Sequence, residues 1–334
     1  LLFHRTRWGV LVRAATQDRE MIAALGVNQK WLFTGVFALG VFLAALGGAL
    51  QLPREAVNHQ MDLRVIVDVF VVVVIGGLGS VAGAFLAAIL VSVLNAFGIL
   101  IFPGIALVAI FLVMAVVLVV RPWGLMGKPE AIIRGGVGAA PLPWAPLTRH
   151  ARLGVAAGVA LAALLPAVAS PYLLNVATEV LIFALFAASL HFMMGAGGLV
   201  SFGHAAYFGL GSYGAALAVK KAGLGMMAGL IAGPLAATLG ALVFGWFCVR
   251  LSGVYLAMLT MAFAQIVWSI AFQWVSVTGG DNGLLGVWPQ APFNNPAALY
   301  WLVLALVAGS LALLRMLVFS PFGYALRATR DSTL

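Results

Sequence analysis

Ser201 and His204, in the run Ser201-Phe202-Gly203-His204, put a hydroxyl and an imidazole about one helical turn apart. That pairing could make an activated nucleophile. A hydrolytic site of this kind also needs an acid to orient the histidine and a sharp turn that exposes the nucleophile, and the neighbouring sequence supplies neither. What is left for these residues is hydrogen bonding between helices or the lining of a path. Gly209-Leu210-Gly211-Ser212-Tyr213-Gly214 satisfies the dinucleotide pattern G-x-G-x-x-G. No strand pattern precedes it, and no acidic residue lies about 20 positions on to hold a ribose hydroxyl, so nucleotide binding there is set aside. Glycine at this density instead lets helix backbones approach closely. The same holds for Gly76-Gly77-Leu78-Gly79-Ser80-Val81-Ala82-Gly83, where Gly79 and Gly83 form a G-x-x-x-G pair. Gly124-Leu125-Met126-Gly127-Lys128 lacks the spacing and the hydroxyl residue of a phosphate-binding loop. The one cysteine, Cys248, offers no disulfide and no metal-ligand set.

The elements that must position these residues are long and apolar. The chain has 334 residues, of which 64% are hydrophobic and 8% charged, against about 45–50% and about 25% in a soluble domain. A membrane-spanning helix needs about 20 apolar residues. Such runs fall at Trp31–Gln51, Val65–Leu78, Val81–Gly98, Ile105–Val120, Leu153–Ser170, Leu174–Met194, Gly203–Val219, Met226–Val249, Val254–Val277 and Ala298–Val318. The expected fold is an all-α, polytopic transmembrane bundle of about ten crossings, some of its helices short, broken or glycine-rich. Asp68 and Glu179 are intramembrane carboxylates by this reading, each near a helix start, where snorkelling to the interface is favoured. Thr260, Gln265, Ser269 and Gln273 place polar groups on an otherwise apolar helix and either line a path or join helices.

Charge is lopsided, with 18 Lys+Arg against 9 Asp+Glu. The basic residues sit in short gaps between apolar runs, which suits an orientation signal better than a nucleic-acid groove. With alternating crossings, fourteen fall on the side that holds both ends of the chain, and four (Arg54, Arg64, Lys220, Lys221) on the other. Both ends are therefore expected in the cytoplasm, with Lys220-Lys221 against the trend. Residues 121–152 carry five prolines and five basic residues and are expected to be a cytoplasmic linker. Trp8-Gly9-Val10-Leu11-Val12-Arg13-Ala14 is echoed by Phe322-Gly323-Tyr324-Ala325-Leu326-Arg327-Ala328, which suggests a repeat of the kind transporters use.

Taken together, four segments resemble the permease subunits of branched-chain amino acid ABC importers. They are Arg7–Asn28 with its Ala23-Ala24-Leu25-Gly26 ending, Ile75–Ala84 with Arg121–Gly127, Gly198–Gly209, and Thr278–Leu284 with Phe322–Asp331. The order resembles a fusion: residues 1–120 as the carboxyl half of one permease unit, 121–152 as linker, and 153–334 as the amino half of a second unit. A chain cut at both ends is the corresponding expectation.

The resemblance implies a bacterial plasma-membrane permease that translocates branched-chain or related hydrophobic amino acids. Urea or short amides are the nearest alternatives, and a channel or secondary transporter without an ATPase is a further one. It implies two cytoplasmic ATP-binding subunits, an external substrate-binding protein and lipid as partners, and no nucleic acid. ATP and Mg would sit on those subunits, with no cofactor or metal on this chain and no catalytic residues. Its coupling loops would carry Arg7, Gly9, Arg13, Ala14, Asp18, Glu20, Ala24 and Gly26, then Gly323, Arg327, Ala328 and Asp331. Gly76, Gly77, Gly79, Gly83, Ser201, His204, Gly209 and Gln265 are the candidates for the path or for helix packing.

Overall fold

The computed structural model describes residues 6–53, 56–59, 61–101, 106–127, 145–146, 148–287, 289–291 and 293–331. Most of the expected linker lies outside them, as do the side chains of Leu63, Arg64 and Asp331. Every element among the described residues is a helix or a turn. Contacts divide the chain into two units, residues 1–67 and 68–334.

The first unit contains α1 (Arg7–Gln17), α2 (Arg19–Ala24) and α3 (Gln29–Gln51). Each starts on a polar cap that accepts an otherwise orphaned backbone N–H. The caps are Thr6 for Gly9, Asp18 for Met21 at 2.9 Å, and Asn28 for Trp31. Gly26, with φ +79°, takes the left-handed turn after α2. Val12, Ala15, Ile22 and Leu32 form a small core between the three helices. The Arg19 guanidinium lies 4.7 Å above the Phe33 ring.

In the remainder, α4 (Met61–Gly76) turns through Gly77–Ser80 into α5 (Val81–Ile101). α6 (Ala106–Val120) and α7 (Arg149–Leu164) follow, then α8 (Pro171–His191), which runs into a π turn at Phe192–Ala196. After it come α9 (His204–Lys220), α10 (Met226–Cys248) and α11 (Gly253–Gln273). A short α12 (Val275–Thr278) leads to α13 (Pro296–Val318) and α14 (Pro321–Asp331). Each of the ten apolar runs contains a helix among the described residues. Among the described residues seven helical segments are long and apolar enough to cross a membrane, α7 counting with the 3-10 turn that carries it on to Ala167, and the chain is a multi-pass membrane protein. The apolar part of α4 spans only Val65–Gly76, while α6 has 15 residues and α9 has 17. At about 1.5 Å per residue these fall short of a bilayer core about 30 Å thick, as the short, glycine-rich runs foretell.

Two glycine contacts shape this unit. A Cβ on Gly83 would sit on the Gly76 carbonyl, so α4 and α5 meet there backbone to backbone. Gly79 has open space around it and a φ of +80°, so the contact pair is Gly76 with Gly83 and Gly79 serves the turn. Gly77 and Gly124 touch in the same way, and Leu125 N and Met126 N donate to Ile75 O (2.8 Å) and Gly76 O (3.0 Å). The segment after α6 thereby caps the end of α4.

The most extensive helix contact joins α9 to α10. Gly211 and Gly214 face Gly233 and Ala236 there, whereas Gly209 has no neighbour in reach. α10 contains Pro234, which removes the donor that the Leu230 carbonyl would otherwise use, and Thr238 Oγ1 donates to the Pro234 carbonyl at 2.7 Å. α7 has no buried residue. It is held through Tyr300 Oη to Ala162 O (2.9 Å) and Trp301 Nε1 to Ala163 O (3.0 Å), both from α13.

Glu179 stands deeper than the sequence suggests. α8 begins at Pro171, capped by Ser170, so this exposed carboxylate lies more than two turns inside the helix.

Candidate functional site

The residues between the π turn and α9 are fixed by hydrogen bonds to α11. Phe202 N donates to Thr260 Oγ1 at 3.1 Å, and Thr260 Oγ1 donates to Ala257 O at 2.7 Å. A Cβ on Gly203 would strike the Thr260 carbonyl, so only glycine lets the loop lie this close. Ser201 and His204 thereby border a cavity of about 350 Å³. Met193, Leu199 and Val200 wall it on one side, and Ala237, Ala241, Gly245 and Cys248 of α10 wall another. Leu256 and Thr260 of α11 close it, with Tyr207 and Thr238 adding hydroxyls. Its volume is near the lower end of the range of about 300–1,000 Å³ for small-molecule pockets.

His204 is oriented by α8. Its Nε2 lies 2.8 Å from Ser189 Oγ, and that hydroxyl gives its proton to Phe186 O at 2.7 Å. Phe186 lies against the imidazole at 5.2 Å between ring centroids. Nδ1 of His204 and Oγ of Ser201 are both buried and without a protein partner. No acid stands behind His204 in this arrangement, so the pair lacks the orienting group that hydrolysis needs.

One wall of the cavity is fastened to α14. Arg330 Nη1 donates to Gly195 O in the π turn at 2.5 Å, and the Arg330 side chain lies so close to Gly198 that a Cβ there would strike its Cγ. Gly198 has φ +66°, which favours glycine independently. Arg327 turns inward as well, donating from Nε to Gly323 O (3.1 Å) and from Nη2 to Val318 O (2.9 Å), with its guanidinium 4.4 Å above Tyr324. Gly323 is buried, since a Cβ would meet the carbonyls of Leu317 and Val318.

The opposite end of these helices is tied by the two lysines that oppose the charge trend. Lys220 Nζ donates to Leu285 O (2.8 Å) and Lys221 Nζ to Ser276 O (2.7 Å).

Of the other residues singled out in the sequence, Gly9 is buried in the core of the first unit and Ala14 is partly buried beside it. Arg7, Arg13, Glu20 and Ala24 are exposed on α1 and α2, and Ala328 is exposed on α14. Asp18 and Gly26 serve as cap and turn. Gln265 is partly buried on α11 and does not border the cavity. Ser189 and Gly195 were not singled out from the sequence, and Gly198 and Arg330 entered only as members of the segments Gly198–Gly209 and Phe322–Asp331. The basic residue three positions after Arg327 was the one available signal.

Residues 1–120 and 172–333 match the family described as branched-chain amino acid transport system / permease component. The chain belongs to this permease family. Among similar proteins is the high-affinity branched-chain amino acid transport system permease protein BraD of Pseudomonas aeruginosa, 33% identical over 132 residues, covering 39% of this chain and 43% of BraD. The corresponding permease protein LivM of Escherichia coli is 30% identical over 206 residues, covering 52% of this permease chain and 48% of LivM. LivH of the same organism is 28% identical over 127 residues, covering 37% and 41% respectively. The permease chain thus spans about half the length of the curated relatives it matches. No solved structure matches it.

Proposed function

We propose that this chain is the membrane-spanning part of an ATP-driven importer that carries branched-chain amino acids into the cytoplasm. One observation carries the reading beyond family membership: the amphipathic α14 is fastened by Arg330 to the turn that walls the cavity. A helix seated on an ATPase and clasped to a cavity wall gives ATP-driven motion a mechanical route to the solute. Two cytoplasmic ATP-binding subunits would dock on α1–α2 and α14, and these subunits would hold ATP and Mg. An external binding protein would deliver the amino acid. In this arrangement the end bearing Arg250, Arg315, Arg327 and Arg330 faces the cytoplasm of a bacterial cell, and the Lys220–Lys221 end faces outward. The fused reading, a carboxyl permease half joined through residues 121–152 to an amino half, rests on the order of the resembling segments along the chain.

The test is reconstitution in vesicles with candidate ATPase subunits and a binding protein. Leucine uptake that requires ATP is expected. Uptake driven by an ion gradient without ATPases would make the chain a secondary transporter, and competition by urea rather than leucine would move the substrate to small amides.

A further inference from the structure

We propose that the cleft where α7 begins and α13 ends holds an anionic glycerophospholipid, with its phosphate at Arg152 and Arg315 and an acyl chain along α13. This goes beyond the importer reading and does not rest on it, since it needs only that the chain crosses a membrane. A cavity of about 490 Å³ lies between the two helices at this end. Two of the residues bordering it are arginines and none is an acid, so the cavity presents positive charge. Arg152 is exposed in the first turn of α7, and Arg315 is half-buried in the last turn of α13. The Arg315 guanidinium lies 5.5 Å from the centre of the Phe319 ring, a stacking that orients its donors. Ser320 also borders the cavity, but its hydroxyl donates to Leu317 O at 2.7 Å and accepts from Gly323 N at 3.3 Å. The anion therefore falls to the two guanidiniums, whose planar forks suit a phosphate.

The rest of the border is apolar, and this selects a lipid over a free phosphate. Ala312 and Met316 stand one turn apart on α13, and both are exposed. α7 does not cover them, for it has no buried residue, and its bonds to Tyr300 and Trp301 lie at the other end of both helices. The depth fits as well. The apolar stretch of α7 starts at Leu153, immediately after Arg152, so the arginine stands where hydrocarbon gives way to head groups. A basic pocket between membrane helices at that depth suits an anionic head group. A zwitterionic lipid brings its own cation towards the two arginines and gains less. The bound lipid then serves as a packing partner for a helix that buries no residue of its own within the chain.

The experiment uses the full chain, purified in detergent and stripped of lipid. Four probes are titrated: dioleoyl phosphatidylglycerol, the phosphatidylcholine with the same chains, glycerol phosphate and inorganic phosphate. Bound molecules are counted by native mass spectrometry. Phosphatidylglycerol is expected to be held tightly and in a fixed ratio to the chain, with phosphatidylcholine weaker and the two chainless phosphates not retained. Arg152→Gln and Arg315→Gln should each weaken phosphatidylglycerol about fivefold. Arg149→Gln removes the same charge from the same helix end at a residue that does not border the cavity, and should leave the affinity unchanged. Ala312→Trp keeps both charges, fills the apolar side and should displace the lipid. Equal retention of the two lipids would overturn the proposal, as would a loss in Arg149→Gln as large as in Arg152→Gln, which means unlocalised charge attraction. Retention of glycerol phosphate or inorganic phosphate as tight as that of phosphatidylglycerol would also overturn it, leaving an ion site that needs no acyl chain. The comparison of the four probes is made on the unaltered chain, so it decides the matter even where a variant fails to fold.

Discussion

Arg13 and Arg327 hold matching positions in the echoed segments, yet they do different work. Arg13 stands exposed on α1, while Arg327 folds back on Gly323 O and Val318 O and sets the elbow between α13 and α14. Arg330 reaches further, to Gly195 O in the π turn. Replacing Arg327 with Lys removes the planar fork that serves two carbonyls at once. The expected outcome is correct insertion with a loosened α14, read as faster amide exchange at residues 321–330. Arg330→Gln should leave α14 helical but cut the stimulation of ATP hydrolysis by loaded binding protein several-fold, measured in reconstituted vesicles; full stimulation would remove the clasp from the mechanism. Gly83→Leu drives a side chain into the Gly76 carbonyl and should cost about 1–3 kcal/mol or more, seen as reduced folded yield in detergent. The same substitution at Gly79 meets no neighbour and is opposed only by its φ of +80°. The glycine-rich segment was legible as a place of close approach, but which glycines touch was not, because a G-x-x-x-G spacing names a helix face without naming the backbone opposite. Arg330 was illegible for a similar reason, since its partner is a carbonyl 135 residues away that any residue type could supply. The Ser189–His204 bond was hidden the same way.

The helices were legible almost completely, because a run of about 20 apolar residues has few alternatives in lipid. Their ends were less so, and the caps explain why. Ser170 with Pro171 opens α8 earlier than hydropathy alone does, which moves Glu179 inward. Asp18 and Gly26 were expected in a coupling loop, and the structure gives both a local duty, the cap of α2 and the turn beyond it. Asp18→Ala should therefore cost about 1 kcal/mol through the lost cap, visible as a lower melting temperature whether or not an ATPase is present. α7 buries nothing and is held by two bonds near its far end. Tyr300→Phe deletes one of them, leaving the Ala162 carbonyl with the Leu165 N–H as its partner, at a cost of about 0.5–1.5 kcal/mol. Cross-linking between cysteines at Ala162 and Ala297 should slow in that variant while the rest of the bundle keeps its protease resistance.

At the scale of the molecule, the proposed orientation rests on the charge asymmetry, which has one exception. Lys220 and Lys221 oppose the trend because they are structural pins on the carbonyls of Leu285 and Ser276. A cysteine at Asn282 should be labelled only from outside and one at Thr329 only from the cytoplasm; labelling of both from one side would refute the alternating crossings. A cysteine at Ala139, outside the described residues, should follow Thr329. The gathering of α9, α10, α11 and the π turn around one cavity was not legible, since it depends on which helices neighbour one another and not on what each contains. Pro234 gives that gathering a mechanical character. The residues of α10 that border the cavity, Ala237, Thr238, Ala241, Gly245 and Cys248, all lie beyond the proline. α10 is thus a lever with its compliant joint at Leu230–Pro234 and a rigid arm of about 21 Å, at about 1.5 Å per residue. A tilt of about 10° at the joint swings the end of that arm by about 4 Å, enough to admit or squeeze out a methyl-sized group. Pro234→Ala would restore the missing hydrogen bond and stiffen the lever. The expected result is a slower maximal rate of uptake with solute binding unchanged, because the joint sets how fast the walls move and not what they touch.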